Sequence, residues 1–282
     1  MPDEWFLEKH TPHAGLTLAY RERLHDEQSP FQHIEVLDTI EYGRMLLLDG
    51  YVMLTDRDEF VYHEMIVHTA MLMHPSPRRV LIIGGGDGGS VREVLRHEGV
   101  EGVTLVEIDE AVISTARRFF PAVSAGLDDP RVTVECRDGF DFLDEHPDSF
   151  DVILVDSIDP VGEAAKLFTS AFYGKVRASL RAGGCAVFQS ESPFYHTEVL
   201  GQVCQQLRDL FPHVAPYLAH IPTYPSGLWS FTFASTAFDP RSAPWRETPA
   251  FLKDLRYFTP EAARAAFVLP AYVRRALEEP AS

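Results

Sequence analysis

Five glycines and one carboxylate fill six consecutive positions, Gly84-Gly85-Gly86-Asp87-Gly88-Gly89. Glycines let a backbone turn sharply and approach a ligand closely. Glu107-Ile108-Asp109 follows at the end of the next apolar run. An acid at that place can accept hydrogen bonds from both hydroxyls of a ribose. Together these residues read as a site for an adenine nucleoside, with Gly84 and Gly86 in the close approach and Glu107 on the sugar. Asp87 makes the loop a poor phosphate cradle, because phosphates favour amides and a positive dipole there. It can instead pair with the amine of a tail that carries only positive charge, as in decarboxylated S-adenosylmethionine. It would then repel the carboxylate of the intact compound. The alternative is an aspartate that caps the helix behind it.

Three further groups fit the same chemistry. Asp138-Gly139 can offer a carboxylate to an adenine amino group and, at the glycine, room for the ring; the alternative is an ordinary Asp-Gly turn. Asp156-Ser157-Ile158-Asp159-Pro160 sets two carboxylates just past a buried strand. An alkylammonium has a pKa of roughly 10 and no lone pair at neutral pH, so an amine nucleophile must be deprotonated. Asp156, nearest the strand end, is the candidate general base, and Asp159 would orient the amine. A turn-and-cap motif is the alternative. Gln189 and Glu191 end another strand, and Gln189 can bind an amine without adding charge. Tyr62 and His63 either reach over the crevice or simply pack. Thr223-Tyr224-Pro225-Ser226-Gly227 reads as a rigid aromatic turn able to wall an apolar slot.

The elements that must position these groups fall into two sets. Residues 16–20, 31–37 and 44–48 carry alternating or continuous apolar patterns punctuated by Gly43 and Asp49-Gly50, which predicts a small antiparallel β unit. Residues 58–73, with Tyr62, Ile66 and Met73 on one side, predict a helix. Strands are then expected at 80–83, 103–108, 132–136, 151–155 and 186–188, and a late strand at 229–234. Helices at 90–97 and 111–119, and helices striped by Phe168, Phe172, Val176 and Leu180 and by Val199, Val203 and Leu207, alternate with them. Such alternation means an α/β fold: a doubly wound, mostly parallel sheet of the Rossmann-like, methyltransferase type. The expected division is a β-hairpin domain at residues 1–56 and a catalytic domain at residues 57–282. Ligands in such folds bind beyond the carboxyl ends of the strands, where the polar residues cluster.

The net charge of −17 speaks against a nucleic-acid partner, which needs a basic surface. It serves solubility or draws in a cationic substrate. No apolar run approaches the roughly 20 residues that span a bilayer, so no membrane partner is expected. The first ten residues lack a signal-peptide pattern. Cys136, Cys185 and Cys204 show neither metal-ligand nor paired spacing; Cys136 and Cys185 read as small core residues, and the chain as cytoplasmic. His63, His68 and His74 do not share a helix face, and no metal is expected.

In their order along the chain these motifs resemble the spermidine synthase (polyamine aminopropyltransferase) family. The residues concerned are Gly43 to Gly50, Asp58 to Met65, Gly84 to Gly89, Glu107 to Asp109, Asp156 to Pro160, Leu167-Phe168 and Thr223 to Gly227. The resemblance implies transfer of an aminopropyl group from decarboxylated S-adenosylmethionine to a small diamine, putrescine by preference, with no metal and no permanently bound cofactor. By resemblance, Gln32, His63, Asp87, Glu107, Asp138 and Gly139 bind the nucleoside co-substrate, Asp87 at its amine. Asp156 deprotonates the acceptor, and Tyr62, Asp159, Gln189 and Tyr224 hold it. Residues 157–166 would close over both ligands, and a homodimer or homotetramer would form through the N-terminal β domain. Glu163 stands where the family usually has a proline, which leaves agmatine, cadaverine or a longer polyamine open as acceptors. A methyltransferase shares the predicted sheet, but Asp87 and the paired aspartates argue against it. A non-catalytic polyamine-binding protein would be expected to have lost site residues, and none is missing.

Overall fold

The computed structural model describes residues 4–158, 162–245 and 249–278. Five antiparallel strands form the first sheet in chain order: β1 (Glu4–Thr11), β2 (Ala14–Gln28), β3 (His33–Thr39), β4 (Gly43–Leu48) and β5 (Tyr51–Thr55). The turn between β4 and β5 is Asp49-Gly50, both at positive φ (51° and 80°), as a tight two-residue hairpin demands. Period-two alternation splits the apolar side chains. Ile34, Val36, Leu46, Leu48 and Leu54 pack against Val112, Phe120 and Val123 of the second unit, while Leu37, Met45 and Leu47 face Phe6, Leu16 and Leu18. The sequence pattern predicted three strands here; β1 and β5 are additional, and β2 is much longer than its apolar segment.

Helix α1 (Glu59–Met73) leads into the second sheet, built from β6 (Arg79–Gly84), β7 (Gly102–Glu107), β8 (Val132–Cys136), β9 (Phe150–Asp156), β10 (Leu180–Gln189), β11 (His213–His220) and β12 (Leu228–Ser235). Its order is β11-β12-β10-β9-β6-β7-β8, with β10, β9, β6, β7 and β8 parallel and β12 and β11 antiparallel. The chain starts at β6, winds outward to β8, and returns on the other side of β6 as β9. The topological switch point therefore lies between β6 and β9, the place where ligands bind in open α/β sheets.

The connecting helices are α2 (Gly89–Leu95), α3 (Glu110–Phe119), α4 (Pro121–Ser124), α5 (Gly139–Asp144), α6 (Ser170–Ser179) and α7 (Thr197–Arg208); α8 (Pro260–Ala266) and α9 (Ala271–Glu278) follow the sheet. One face of the sheet packs on α1 and α2, the other on α5, α6 and α7. Helix α1 differs from its predicted one-sided form, since every residue but Phe60 is buried. Tyr217, Phe258 and Ala263 join the same cluster as α1, so the helix is enclosed by the sheet and by the C-terminal segment.

Two other expectations are corrected. The stripe from Phe168 to Leu180 is not one helix: Thr169 Oγ1 accepts the Phe172 amide and starts α6, while Leu180 already belongs to β10. Cys136 is not a core residue but exposed, because it ends β8, the edge strand of the sheet, whereas Cys185 and Cys204 are buried.

Candidate active site

The loop after β6 adopts positive φ at Gly84 (79°), Gly85 (65°) and Gly88 (87°). The space it closes is filled by the protein's own acids. A Cβ on Gly84 would lie 2.2 Å from the Asp156 carbonyl oxygen, one on Gly85 2.7 Å from Asp156 Oδ2, and one on Gly86 2.8 Å from Glu107 Cγ. The glycines thus allow three strand ends to converge. Gly139 serves the same end: a Cβ there would meet Ile83 Cγ2 at 2.6 Å. The expected room for an adenine ring at Gly139 is in part a close approach to β6.

A cavity of about 190 Å³ opens at this convergence. Its lining includes Gln32, Tyr62, His63, Gly84, Gly86, Asp87, Glu107, Asp138, Gly139, Asp156, Gln189 and Tyr224, so twelve of the thirteen site residues expected from sequence surround one space. The thirteenth, Asp159, lies outside the described residues.

Asp87 Oδ1 accepts the Gly89 amide at 2.7 Å, so it does tie the start of α2 as well as facing the cavity. His63 Nε2 lies 3.3 Å from the same oxygen, and His63 Nδ1 is 2.6 Å from Glu59 Oε2. Glu59 in turn accepts Arg92 at 3.1 and 2.9 Å. Burial opposes charge on His63, but Asp87 and Glu59 overcome it and raise the imidazole to about 10. Burial likewise works against the Asp87 carboxylate, and the His63 cation and Gly89 amide bring it below its usual range.

Asp156 ends β9 opposite Gly84. Its Oδ2 accepts Ser90 Oγ at 2.6 Å, and the Tyr62 hydroxyl also donates to it. Burial and the facing Asp87 charge push its carboxyl up. Burial and the Asp156 charge hold the Tyr62 phenol well above its normal value, so it remains a donor. Glu107 accepts the Gly86 and Asp109 amides at 3.2 and 3.0 Å, and burial raises it to about 7. Gln32 donates to Asp109 Oδ2 at 2.9 Å, which ties the β2–β3 connection to the start of α3.

Asp138 caps α5, accepting Phe140 N at 2.8 Å, and its other oxygen holds Lys166 Nζ at 2.5 Å. The Asp-Gly turn and the cavity-facing carboxylate are thus one residue. Gln189 donates to Ile158 O at 3.2 Å and accepts Glu191 N at 3.0 Å. Tyr224 donates to Met53 O at 2.5 Å, and its ring lies 5.9 Å from Tyr62 and 4.8 Å from Trp229.

Sequence reasoning missed Glu8, Ser90 and Lys166. Glu8 is buried, lines the cavity, and is raised to about 7 by burial, with Glu191 adding repulsion. Its signal was an inverted strand pattern: Trp5 and Leu7 of β1 point outward while Glu8 points in. Among the described residues Asp26, His33 and Glu35 could approach one cation, but none of them lines the cavity.

Residues 59–242 match the family described as Spermine/spermidine synthase domain, and residues 4–56 the Spermidine synthase tetramerisation domain. The polyamine aminopropyltransferase of Thermoanaerobacter sp. (strain X514) is 46% identical over 275 residues, 98% of this chain and 99% of that protein. The Bacillus subtilis (strain 168) protein of the same name is 44% identical over 273 residues, covering 97% and 98%. A crystal structure of a spermidine synthase in complex with the transition state analogue AdoDATO superposes with a TM-score of 0.94 at 37% identity, covering 99% of this chain and 96% of that one. The Thermotoga maritima spermidine synthase gives 0.92 at 37% identity, covering 99% and 95%.

Proposed function

The chain belongs to the spermine/spermidine synthase family, and from that premise we propose that it moves the aminopropyl group of decarboxylated S-adenosylmethionine onto putrescine. It is an aminopropyltransferase acting on a diamine; putrescine is the finer reading. The observation that carries it is the pair of carboxylates at the switch point. Asp87 and Asp156 face one cavity, the first held anionic by a cation and the second pushed up in pKa by burial and by the first.

In this reading Asp87 binds the aminopropyl ammonium, Glu107 the ribose, and Asp138, Gly139 and Gln32 the adenine end. The acceptor lies between Tyr62, Tyr224 and Gln189, and Asp159 is expected to join them by resemblance to the family. Its nitrogen gives a proton to Asp156 and attacks the methylene carbon beside the sulfonium. A C–N bond forms, the C–S bond breaks with its electron pair going to sulfur, and methylthioadenosine leaves. A base with an elevated pKa accepts that proton more readily, and Ser90 and Tyr62 fix its orientation. Alignment of the two substrates supplies most of the remaining acceleration. Glu8 at the other end of the slot, with the charge of Glu191 behind it, favours an acceptor with a second positive charge.

The edge strand β1 exposes Trp5 (66%) and Leu7 (53%), which supports assembly through the N-terminal sheet as a homodimer or homotetramer. The three unpaired cysteines fit a reducing cytoplasm. One assay tests the acceptor: methylthioadenosine release measured across putrescine, cadaverine, agmatine and spermidine. Putrescine should have the highest kcat/KM. Higher values for a longer or guanidino acceptor would replace it.

A further inference from the structure

We propose that Asp58 is the positioning residue of the acceptor slot, one buried carboxylate that locks three separate segments into a single wall. The proposal rests on the reading of the cavity as an aminopropyl-acceptor site. Asp58 occupies the N-cap position of α1, where an aspartate ordinarily accepts from the helix's own first amides. Here it makes no side-chain cap bond (φ −127°, ψ −1°). Both of its oxygens turn outward from the helix. Oδ1 accepts Thr55 Oγ1 at 2.5 Å, and Oδ2 accepts the Thr223 amide at 3.1 Å and Thr223 Oγ1 at 2.8 Å. Thr55 and Thr223 are fully enclosed, and Asp58 is 3% exposed.

Each tied segment carries a residue of the slot. Thr55 ends β5, which presents Met53; Asp58 starts α1, which presents Tyr62; and Thr223 precedes Tyr224. The Tyr224 hydroxyl returns to Met53 O, so the turn is fastened to β5 directly and to both β5 and α1 through Asp58. The turn needs such fastening. Ser226 sits at φ 62° and Gly227 at φ 69°, and a side chain at a left-handed position is strained. With Asp58 in place the Tyr62–Tyr224–Trp229 aromatic group keeps one geometry. Without it, the segment bearing Tyr224 is released from the N-terminal sheet and from α1 at one point. The nucleoside end, built on β6, β7 and α5, shares none of these bonds.

The test is a set of variants, Asp58→Asn, Thr223→Val and Thr223→Ser, each read by steady-state kinetics on putrescine and cadaverine, by calorimetry of methylthioadenosine binding, and by thermal unfolding. Asp58→Asn turns one acceptor oxygen into a donor, and Thr223→Val deletes one donor at nearly constant shape. Both should raise the putrescine KM roughly tenfold, the scale of one lost buried hydrogen bond to a charge. They should change kcat by less than about threefold, leave methylthioadenosine affinity intact and narrow the putrescine-to-cadaverine preference. Thr223→Ser keeps both donors and should restore the KM. If Asp58→Asn does not fold, Thr223→Val carries the test. A fall in melting temperature with unmoved amine KM overturns the proposal, as does a parallel loss of affinity for both substrates. Absence of transfer to any amine by the unaltered enzyme sinks the underlying reading, and this proposal with it.

Discussion

Asp87 and Asp156 are the same residue type at the ends of adjacent strands, facing one cavity, yet their surroundings push them in opposite directions. Asp87 belongs to a largely buried row of alternating charge that runs through His63, Glu59 and Arg92 to Glu93. Asp156 accepts from the neutral donors Ser90 and Tyr62, and burial and the negative field of Asp87 outweigh the opposing pull of the more distant His63. A compensated carboxylate stays ionised and serves to bind. An uncompensated one is ready to take a proton. The division of labour is set by where the chain places one histidine.

The sharpest way to break this comparison is Asp156→Asn. An amide cannot take the proton, so kcat should fall by a factor on the order of 10³. Methylthioadenosine binding by calorimetry should stay within about twofold, because no nucleoside contact rests on that oxygen. Near-native turnover would transfer the base to another group.

The compensated side is tested by Glu59→Gln. Its carboxylate is buried and pulled down to about 2, which burial opposes and His63 and Arg92 bring about. Neutralising it leaves Arg92 and His63 as neighbouring buried cations. Breaking such a pair costs about 3 kcal/mol, to be read as a lowered urea midpoint at constant m-value. The loss should be full above pH 4.5 and fade below it. A group whose pKa is depressed on folding stabilises above its unfolded value and loses that contribution as pH falls towards about 2.

Much of this contrast could be read before any coordinates, and the unread part has a common cause. The glycine loop, Glu107, Asp138 and Asp156 were legible because each follows an apolar run directly, so local spacing alone puts it at a strand end. The sequence leaves Asp87 open to an amine or to a cap, and it faces the cavity while its Oδ1 holds the Gly89 amide, Gly88 being the cap position of α2. Glu8, Ser90 and Asp58 were not legible as site components, because their partners lie in distant segments: Glu8 meets the Val52 amide, Ser90 meets Asp156, and Asp58 meets Thr223. The error over Cys136 is of the same kind, since being an edge strand is a property of sheet order and not of the run Val132–Cys136. Helix α1 hid in the opposite way. Its pattern looks one-sided only until the C-terminal segment, which has no strong motif of its own, closes over the other side.

Glu8 extends the comparison to the far end of the slot. Burial raises it to about 7; the Val52 amide opposes that shift and Glu191 adds to it, while His10 Nε2 stands 3.1 Å from its other oxygen. A carboxyl raised on folding favours the fold below 4.5 and loses that contribution as pH rises through about 7. Binding a diammonium needs the opposite, ionised form. Glu8→Gln should therefore flatten the loss of stability between roughly pH 4.5 and 7, by about 3 kcal/mol, while raising the putrescine KM at pH 8 more than at pH 6. Equal KM shifts at both values would remove Glu8 from the acceptor end.

The smallest effect belongs to Lys166, and it separates an ion pair that competes with a ligand from one that holds it. Asp138 uses one oxygen to cap α5 and gives the other to Lys166. In the proposed reading an adenine amino group approaching Asp138 would meet that second oxygen, already engaged by an ammonium whose side chain is 32% exposed. Partly exposed pairs of this sort contribute about 0–1 kcal/mol, so the competition is mild. Lys166→Ala should leave methylthioadenosine binding unchanged or up to about fivefold tighter. The unaltered enzyme should gain affinity slightly as salt weakens the pair, and the variant should show no such response. Binding weakened more than about tenfold in the variant would mean that Lys166 grips the nucleoside itself, and that the adenine end, like Asp87, works with a built-in cation.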